Sequence, residues 1–444
     1  MPKFIITFER LVNMKIKIGE KIPIVRGIRP EEGMWGPYQF VTPYNADGKI
    51  VVSIHVGEDS IKTYGDGKLW FVSSDKGETW EETSPDIIAD CGLKLPNGDT
   101  ITFPRVSAID VSGYKIPNFE SLTPGTDYSK KAEEGTFPQQ DGVTSHFGTV
   151  IRAYNADRLP DSLSEKKWYM IRKTADGEVR EEYCKLEWQY LTRVVFSDYC
   201  LNDPHMKGLF PTGVPKIGPD GAIWITAFSG EGHIDPETKQ YSPYYSAELF
   251  RSTDNGCTFK QYAHMEYPAD GHKYPYLSGG FSDNDIAFFD DGSICWFMRS
   301  AWFGSTGREW APMYMSRSVD MGKTWSAPEE FSFTGVYPSL CRLGCGATLL
   351  CFARPGMFIT ACPNGDSTKW IKPIELMTPG DRSDLANIKK YPPDFHDWDG
   401  ACNNCALLPV DENSALIFNT DFYFPDGDGV KRKTPFCQRI TVEM

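Results

Sequence analysis

The chain has 444 residues with 40 Gly, 32 Pro and 60 aromatic residues (12 Trp, 21 Tyr, 27 Phe), a composition of many short strands and turns rather than long helices. Its formal charge of -14, with Lys and Arg scattered, excludes a nucleic-acid backbone as the main partner, since that binding needs banked positive charge. It contains no apolar run of about 18 residues, which argues against a membrane-spanning helix.

Residues 1–20 mix apolar positions around Phe4–Phe8 with charges at Lys3, Glu9, Arg10, Lys15 and Lys17, and read as a first strand. They show no apolar core followed by a small-residue cleavage site, so a cytoplasmic protein with mostly free, buried thiols is expected despite twelve cysteines. One turn then recurs: Ser73-x-Asp75-x-Gly77-x-Thr79-Trp80, Ser252-x-Asp254-x-Gly256-x-Thr258-Phe259 and Ser318-x-Asp320-x-Gly322-x-Thr324-Trp325. In each the Asp can fold back on its own turn, the Gly takes a conformation that a β-carbon opposes, and the aromatic packs beneath the hairpin.

Hairpins of a second kind are expected at Asp47-Gly48, Asn97-Gly98, Asp220-Gly221, Asp291-Gly292, Gly344–Gly346 and Asp411–Asn413. Interleaved with them are outer turns at Asp75–Gly77, Asp176-Gly177, Asp254–Gly256, Asp320–Gly322, a degraded Pro363–Gly365 ahead of Trp370, and Pro425–Gly429. Six of each fit an all-β, six-bladed β-propeller in one domain spanning residues 1–444, closed by a chain end that completes another blade's sheet. The alternative is a seven-bladed ring with Glu181–Pro215 in an extra blade. The excursions Ser107–Thr144 and Cys200–Val214 exceed ordinary loop length and are candidate walls of a binding site.

On the three boxes the chain resembles the sialidase superfamily, the BNR or Asp-box proteins, over nearly its whole length. The resemblance implies a six-bladed propeller and, for the glycosidases among its members, an arginine triad for the substrate carboxylate, an Asp acid/base, and a Tyr paired with a Glu as nucleophile. In Asp283-Asn-Asp285-Ile-Ala-Phe-Phe-Asp-Asp291-Gly292-Ser-Ile-Cys-Trp-Phe-Met-Arg299, the match places Arg299 as the second substrate-binding arginine and Asp283 or Asp285 near the usual Glu. Asp59, with Glu58 beside it, falls where the acid/base is expected. Where the family has Arg-Ile-Pro this chain has Trp35-Gly36-Pro37, with Arg29 a few residues upstream as a displaced arginine. Arg354 lies in an Arg-Pro-Gly segment like one in bacterial relatives, and Tyr337 and Tyr423 are positional candidates for the tyrosine.

Several histidines stand beside carboxylates in loops: His205 near Asp203, His233 near Glu231, His272 near Asp270, and His396-Asp397-Trp398-Asp399. A glycosidase needs one group to protonate the leaving oxygen and another to attack or to activate water. Asp59, Asp283, Asp285, His396 and Asp397 are the candidates for these roles; Arg29, Arg299 and Arg354 would orient an acidic or polyhydroxylated sugar, and Trp35, Trp302 and Trp398 could offer flat faces to it.

Cys402-Asn-Asn-Cys405 has metal-like spacing but runs straight into a strand, and Cys345 falls in a hairpin, so buried thiols are expected rather than zinc. The chain carries no phosphate loop and no His-Glu-x-x-His, and no cofactor is expected. Loop carboxylates at Asp203, Asp426 and Asp428 are the places where a divalent ion could sit. The reading is a glycoside hydrolase acting on an acidic or small oligosaccharide; the alternatives are a non-catalytic glycan-binding propeller and a polysaccharide lyase.

Overall fold

The computed structural model describes residues 14–29, 37–57, 67–104, 109–110, 130, 133, 136, 142–146, 149–155, 158–160, 167–187, 193–197, 205–206, 210–228, 233–234, 241–242, 246–267, 280–300, 312–332, 335–353, 356–363, 365–377 and 404–443. All that follows concerns these residues. In chain order, β1 (Lys15–Pro23) precedes a meander of β2 (Gln39–Ala46), β3 (Lys49–His55), β4 (Leu69–Ser73) and β5 (Glu81–Glu82). A short 3-10 helix, Pro85–Asp90, leads into β6 (Leu93–Lys94), β7 (Thr100–Thr102), β8 (Ile109–Asp110), β9 (Gly142–His146), β10 (Thr149–Asn155), β11 (Lys167–Lys173), β12 (Val179–Glu187), β13 (Arg193–Ser197) and β14 (His205–Met206). Next come β15 (Phe210–Ile217), β16 (Ile223–Phe228), β17 (His233–Ile234), β18 (Tyr241–Ser242), β19 (Ser246–Ser252) and β20 (Thr258–Glu266). The chain continues through β21 (Phe281–Phe288), β22 (Ile294–Ser300), β23 (Met313–Ser318), β24 (Glu329–Ser332), β25 (Val336–Arg342), β26 (Thr348–Ala353), β27 (Met357–Cys362) and β28 (Ile374–Met377), and ends with β29 (Ala406–Asp411), β30 (Ser414–Pro425) and β31 (Lys431–Glu443).

The strands sort into antiparallel meanders β2-β3-β4-β5, β21-β22-β23-β24, β25-β26-β27-β28 and β29-β30-β31-β1, plus an eight-stranded sheet β6-β7-β11-β12-β20-β19-β16-β15. That larger sheet is two meanders joined where β12 runs parallel to β20, Lys185 beside Thr258 through Glu187 beside Lys260. Strands buried on both faces explain the near-continuous apolar runs. In β22, Cys295 and Phe297 enter the core shared with β25–β27, while Ile294, Trp296 and Met298 enter the core shared with β16 and β19. Each such side chain withdrawn from water contributes about 1.5–3 kcal/mol. Further cores link β25–β27 to β29–β31, β7–β12 to β16–β20, and Leu416, Phe418 and Cys437 to Val52, Ile54 and Phe71, which brings the last sheet against the first.

The hairpin turns expected from Asp47-Gly48 to Asp411–Asn413 and from Asp75–Gly77 to Pro363–Gly365 join the strands they were expected to join. The exception is Pro425–Gly429, read above as the outer turn of the last sheet. It links β30 to β31, the second and third strands; the fourth is β1, paired to β31 from Lys15–Glu443 to Pro23–Phe436. Its Asp426 and Asp428 hold Arg26 and Arg432 rather than standing open for an ion.

Within the boxes the Ser accepts from the Gly N–H, at 2.8 Å in Ser73, 3.0 Å in Ser252 and 2.8 Å in Ser318, and the Asp accepts from the Thr N–H at 2.9, 2.8 and 2.9 Å. The Thr79 and Thr324 hydroxyls and these N–H groups hold Asp75 and Asp320 down at about 2. Gly77 has φ 92°, and a β-carbon there would lie 2.5 Å from Leu416 Cδ1 of the neighbouring sheet, so the turn also serves as a contact between sheets. In the degraded turn only the tryptophan survives: Trp370 Nε1 donates to Ser367 O at 3.1 Å, as Trp325 Nε1 does to Gly322 O at 3.0 Å.

A second repeated device escaped the sequence reading. In four meanders an Asp of the first hairpin pairs with an Arg on the third strand: Asp99 with Arg172 at 3.0 Å, Asp220 with Arg251 at 2.6 Å, Asp291 with Arg317 at 2.9 Å and Asp411 with Arg439 at 3.0 Å. Three of these arginines also reach the outer turn of the next meander, Arg172 to Asn255 O and Arg439 to Lys76 O, both at 2.9 Å, and Arg317 to Ser367 Oγ. The boxes and these arginines lock the same end of the ring.

The two long excursions are laced together. β8 in the first pairs with β14 in the second, and β10 pairs with both β9 and β13. No helix among the described residues is long and apolar enough to cross a membrane.

Candidate functional site

First strands of successive sheets touch one another, β15 with β21, β21 with β25, β25 with β29 and β29 with β2, so they converge on the centre of the ring. In every meander but the last both hairpins lie at the box end; in the last, β29–β30 turns there and β30–β31 turns at the opposite end. The connections between second and third strands, and those from sheet to sheet, therefore emerge at the opposite end. Loop side chains can converge there.

At that end, pairing of β21 with β22 shifts between Phe281–Ser300 and Asn284–Met298. The bulge brings Asp283 to Arg299, whose Nη1 donates to Asp283 Oδ2 at 2.8 Å. The two side chains are 14% and 23% exposed, so the ion pair is mostly withdrawn from water yet reachable. The contact occupies one nitrogen of a guanidinium able to present five N–H donors.

Asp285 does not join them. It is 2% exposed and accepts from Lys216 on β15, from Leu340 N on β25 at 2.8 Å, and from Ile286 N at 2.9 Å. Burial pushes its carboxyl up, against the pull of Lys216 and the two N–H groups. Contacts on three first strands make Asp285 a central cross-tie, a correction to its place among the reactive candidates. Asn284 beside it binds Ala227 O at 2.8 Å and accepts from Trp296 Nε1 at 2.7 Å, another tie to the preceding sheet.

Arg29 is exposed and follows Ile28, whose N–H and carbonyl pair with Lys433 of β31. Asp59, Trp35, Trp302, Arg354, His396, Asp397 and Trp398 lie outside the described residues. Cys341 and Cys405 are buried, and Cys345 sits in the β25–β26 turn; the ten cysteines among the described residues are all free.

The backbone is strained at the loop end of two first strands. Phe40 has φ 55° and Tyr337 φ 53°, each seven residues before its hairpin, at Asp47 and Gly344; at the matching place in β15, before Asp220, stands Gly213 with φ 67°. Pairing shifts at all three. A left-handed conformation costs an aromatic residue about 1–2 kcal/mol that glycine escapes. The Cys405 thiol donates to Tyr337 O at 3.7 Å.

Away from the centre, Glu248 of β19 is fully buried and accepts from Ser246 Oγ at 2.8 Å, from Gln261 Nε2, and from His264 Nδ1 at 2.9 Å; His264 Nε2 meets Glu266 at 3.2 Å. Burial opposes the imidazolium, but the bonds to Glu248 and Glu266 outweigh it and lift His264 to about 10. Folding stability from this group is then complete below its unfolded value near 6.5 and is lost as pH rises through about 10, with a slope of at most about 1.4 kcal/mol per pH unit. Urea melts from pH 6 to 10 should show this decline in the wild type and a flatter profile in His264→Gln; equal profiles would discard the charged pair.

No known family model matches the chain, and no curated protein matches it. A crystal structure of a protein of unknown function from Dyadobacter fermentans is similar with TM-score 0.53 and 16% identity, over 96% of this chain and 99% of that one. The chain is a β-propeller. Solved sialidases are similar at lower scores. That of Trypanosoma rangeli has TM-score 0.42 and 10% identity over 95% of this chain, which spans 59% of the trypanosomal protein; a Hadza microbial sialidase has TM-score 0.42 and 14% identity over 92% of this chain and 67% of that one. The β-propeller seen here carries its Asp283–Arg299 pair at the end of the ring away from the three boxes.

Proposed function

We propose that the chain is a six-bladed propeller whose loop end binds an acidic sugar and hydrolyses its glycosidic bond. The six blades are the four separate meanders and the two halves of the eight-stranded sheet. The observation that carries the site is Arg299: three-quarters buried, held by Asp283 through one nitrogen, with its other donors available to a planar anion. Arg299 orients the sugar, Asp283 fixes Arg299, and the acid and nucleophile come from loop groups such as Asp59 or His396-Asp397. Free, largely buried cysteines support a reducing compartment, the cytoplasm. A glycan-binding propeller without catalysis is the second reading, favoured by Asp285 serving as a tie rather than a reactant.

The test is turnover of methylumbelliferyl glycosides of sialic, glucuronic and galacturonic acids by wild type and Arg299→Ala. Loss of an oriented charge-assisted contact should lower kcat/KM about 100-fold or more. Full turnover by the variant rules Arg299 out; binding of an acidic sugar without turnover selects the non-catalytic reading.

A further inference from the structure

Among the described residues Cys257 is the one cysteine exposed to solvent. It stands between the glycine and the threonine of the second box, where the outer turn passes into β20. The ladder in which β12 runs parallel to β20 sets Lys185 beside Thr258, and the Lys185 N–H donates to the Cys257 carbonyl at 2.9 Å. One step back along both strands, Cys184 therefore stands beside Cys257.

Neighbouring strands lie about 4.8 Å apart, within the span of about 4.4–6.8 Å over which a disulfide joins two α-carbons. The two sulfurs are in electrostatic reach of each other. Cys184 is buried, and burial pushes its thiol up to about 12, so an oxidant meets Cys257 first. Arg172, whose Nη2 donates to Asn255 O at 2.9 Å two residues before Cys257, brings a cation into range of the same sulfur. An accessible thiol with a cation and a second thiol beside it is the arrangement of a reversible redox site.

We propose that Cys257 is a peroxide-reactive modification site and that Cys184 resolves it as a disulfide across the β12–β20 junction. The Cys257 sulfur attacks the O–O bond of hydrogen peroxide and takes one oxygen as sulfenic acid, the other leaving as water. The Cys184 sulfur then displaces the sulfenic hydroxyl, which leaves as a second water with the Cys184 thiol proton, so that two thiols are oxidised as one peroxide is reduced. Wild type, Cys257→Ser and Cys184→Ala should be treated with hydrogen peroxide, blocked with N-ethylmaleimide in denaturant and digested with trypsin without reductant. From wild type the peptides Glu181–Lys185 and Ser252–Lys260 should be recovered joined, and dithiothreitol should part them. Cys257→Ser should slow the loss of the Cys184 thiol by about tenfold or more, and in Cys184→Ala dimedone should label Cys257. Wild type in which Cys184 stays free, with Cys257 unreacted or carried on to sulfinic acid, overturns the proposal, as does either thiol joined to a third cysteine. The wild-type digest decides the matter by itself should a variant fail to fold.

Discussion

Replacing Lys216 by Met should cost about 3–5 kcal/mol at neutral pH, because it leaves the Asp285 carboxylate buried without its cation. The Leu340 and Ile286 N–H groups remain but carry no full charge. The pH dependence fixes the sign. Asp285 already has its carboxyl raised in the folded protein, so its contribution is most favourable below the unfolded value near 3.8 and declines as pH rises through the folded one. Without Lys216 the folded value rises further, and the deficit of the variant should shrink on acidification as Asp285 takes a proton. Chemical denaturation of both proteins at pH 7.5 and pH 5 measures it; a deficit below about 1 kcal/mol at pH 7.5, or one that grows in acid, would refute the cross-tie.

Arg172→Ala should be comparably severe, about 3–5 kcal/mol. The Arg172 side chain is 7% exposed and serves Asp99, Glu182 and the carbonyl of Asn255, so truncation strands two carboxylates and frees the third blade's outer turn from the second blade. Arg439→Ala, in the same device but 26% exposed, should lose only about 1 kcal/mol. Equal losses in the two variants would mean that the repeated pairs act through something other than burial. A cycle with Asp99→Ala isolates the coupling, which should exceed that between Arg439 and Asp411.

Turns were legible because their chemistry is local. Asp254-Asn255-Gly256 holds its own donors and acceptors within a few residues, so spacing alone locates the hairpin. The Arg172–Asp99 pair spans 73 positions and becomes visible only once the strands are arranged. Asp283 and Asp285 have the same parity on one strand and were inseparable in sequence; the partners on β15 and β25 part them. Lys216 and His264 carry no local pattern, and tyrosine is no turn residue, so the strain at Tyr337 left no trace. The Asp291-Gly292 turn fixes the antiparallel register that carries Arg299 back to the strand end holding both aspartates, and the structure pairs it with Asp283.

The pairing of β1 with β31 places contacts 400 or more residues apart in one sheet, Lys21 with Asp421 among them. A ribosome must release nearly the entire chain before that ladder can zip, and until then Leu416 and Phe418 have no first sheet-to-last sheet seam to close. Closure of the ring thus waits until β31 is made, and until then the growing chain carries an uncovered apolar flank. A circular permutation that joins β31 to β1 and opens the chain between β1 and β2 would turn the fourth strand of the last sheet into a contiguous hairpin partner of the third.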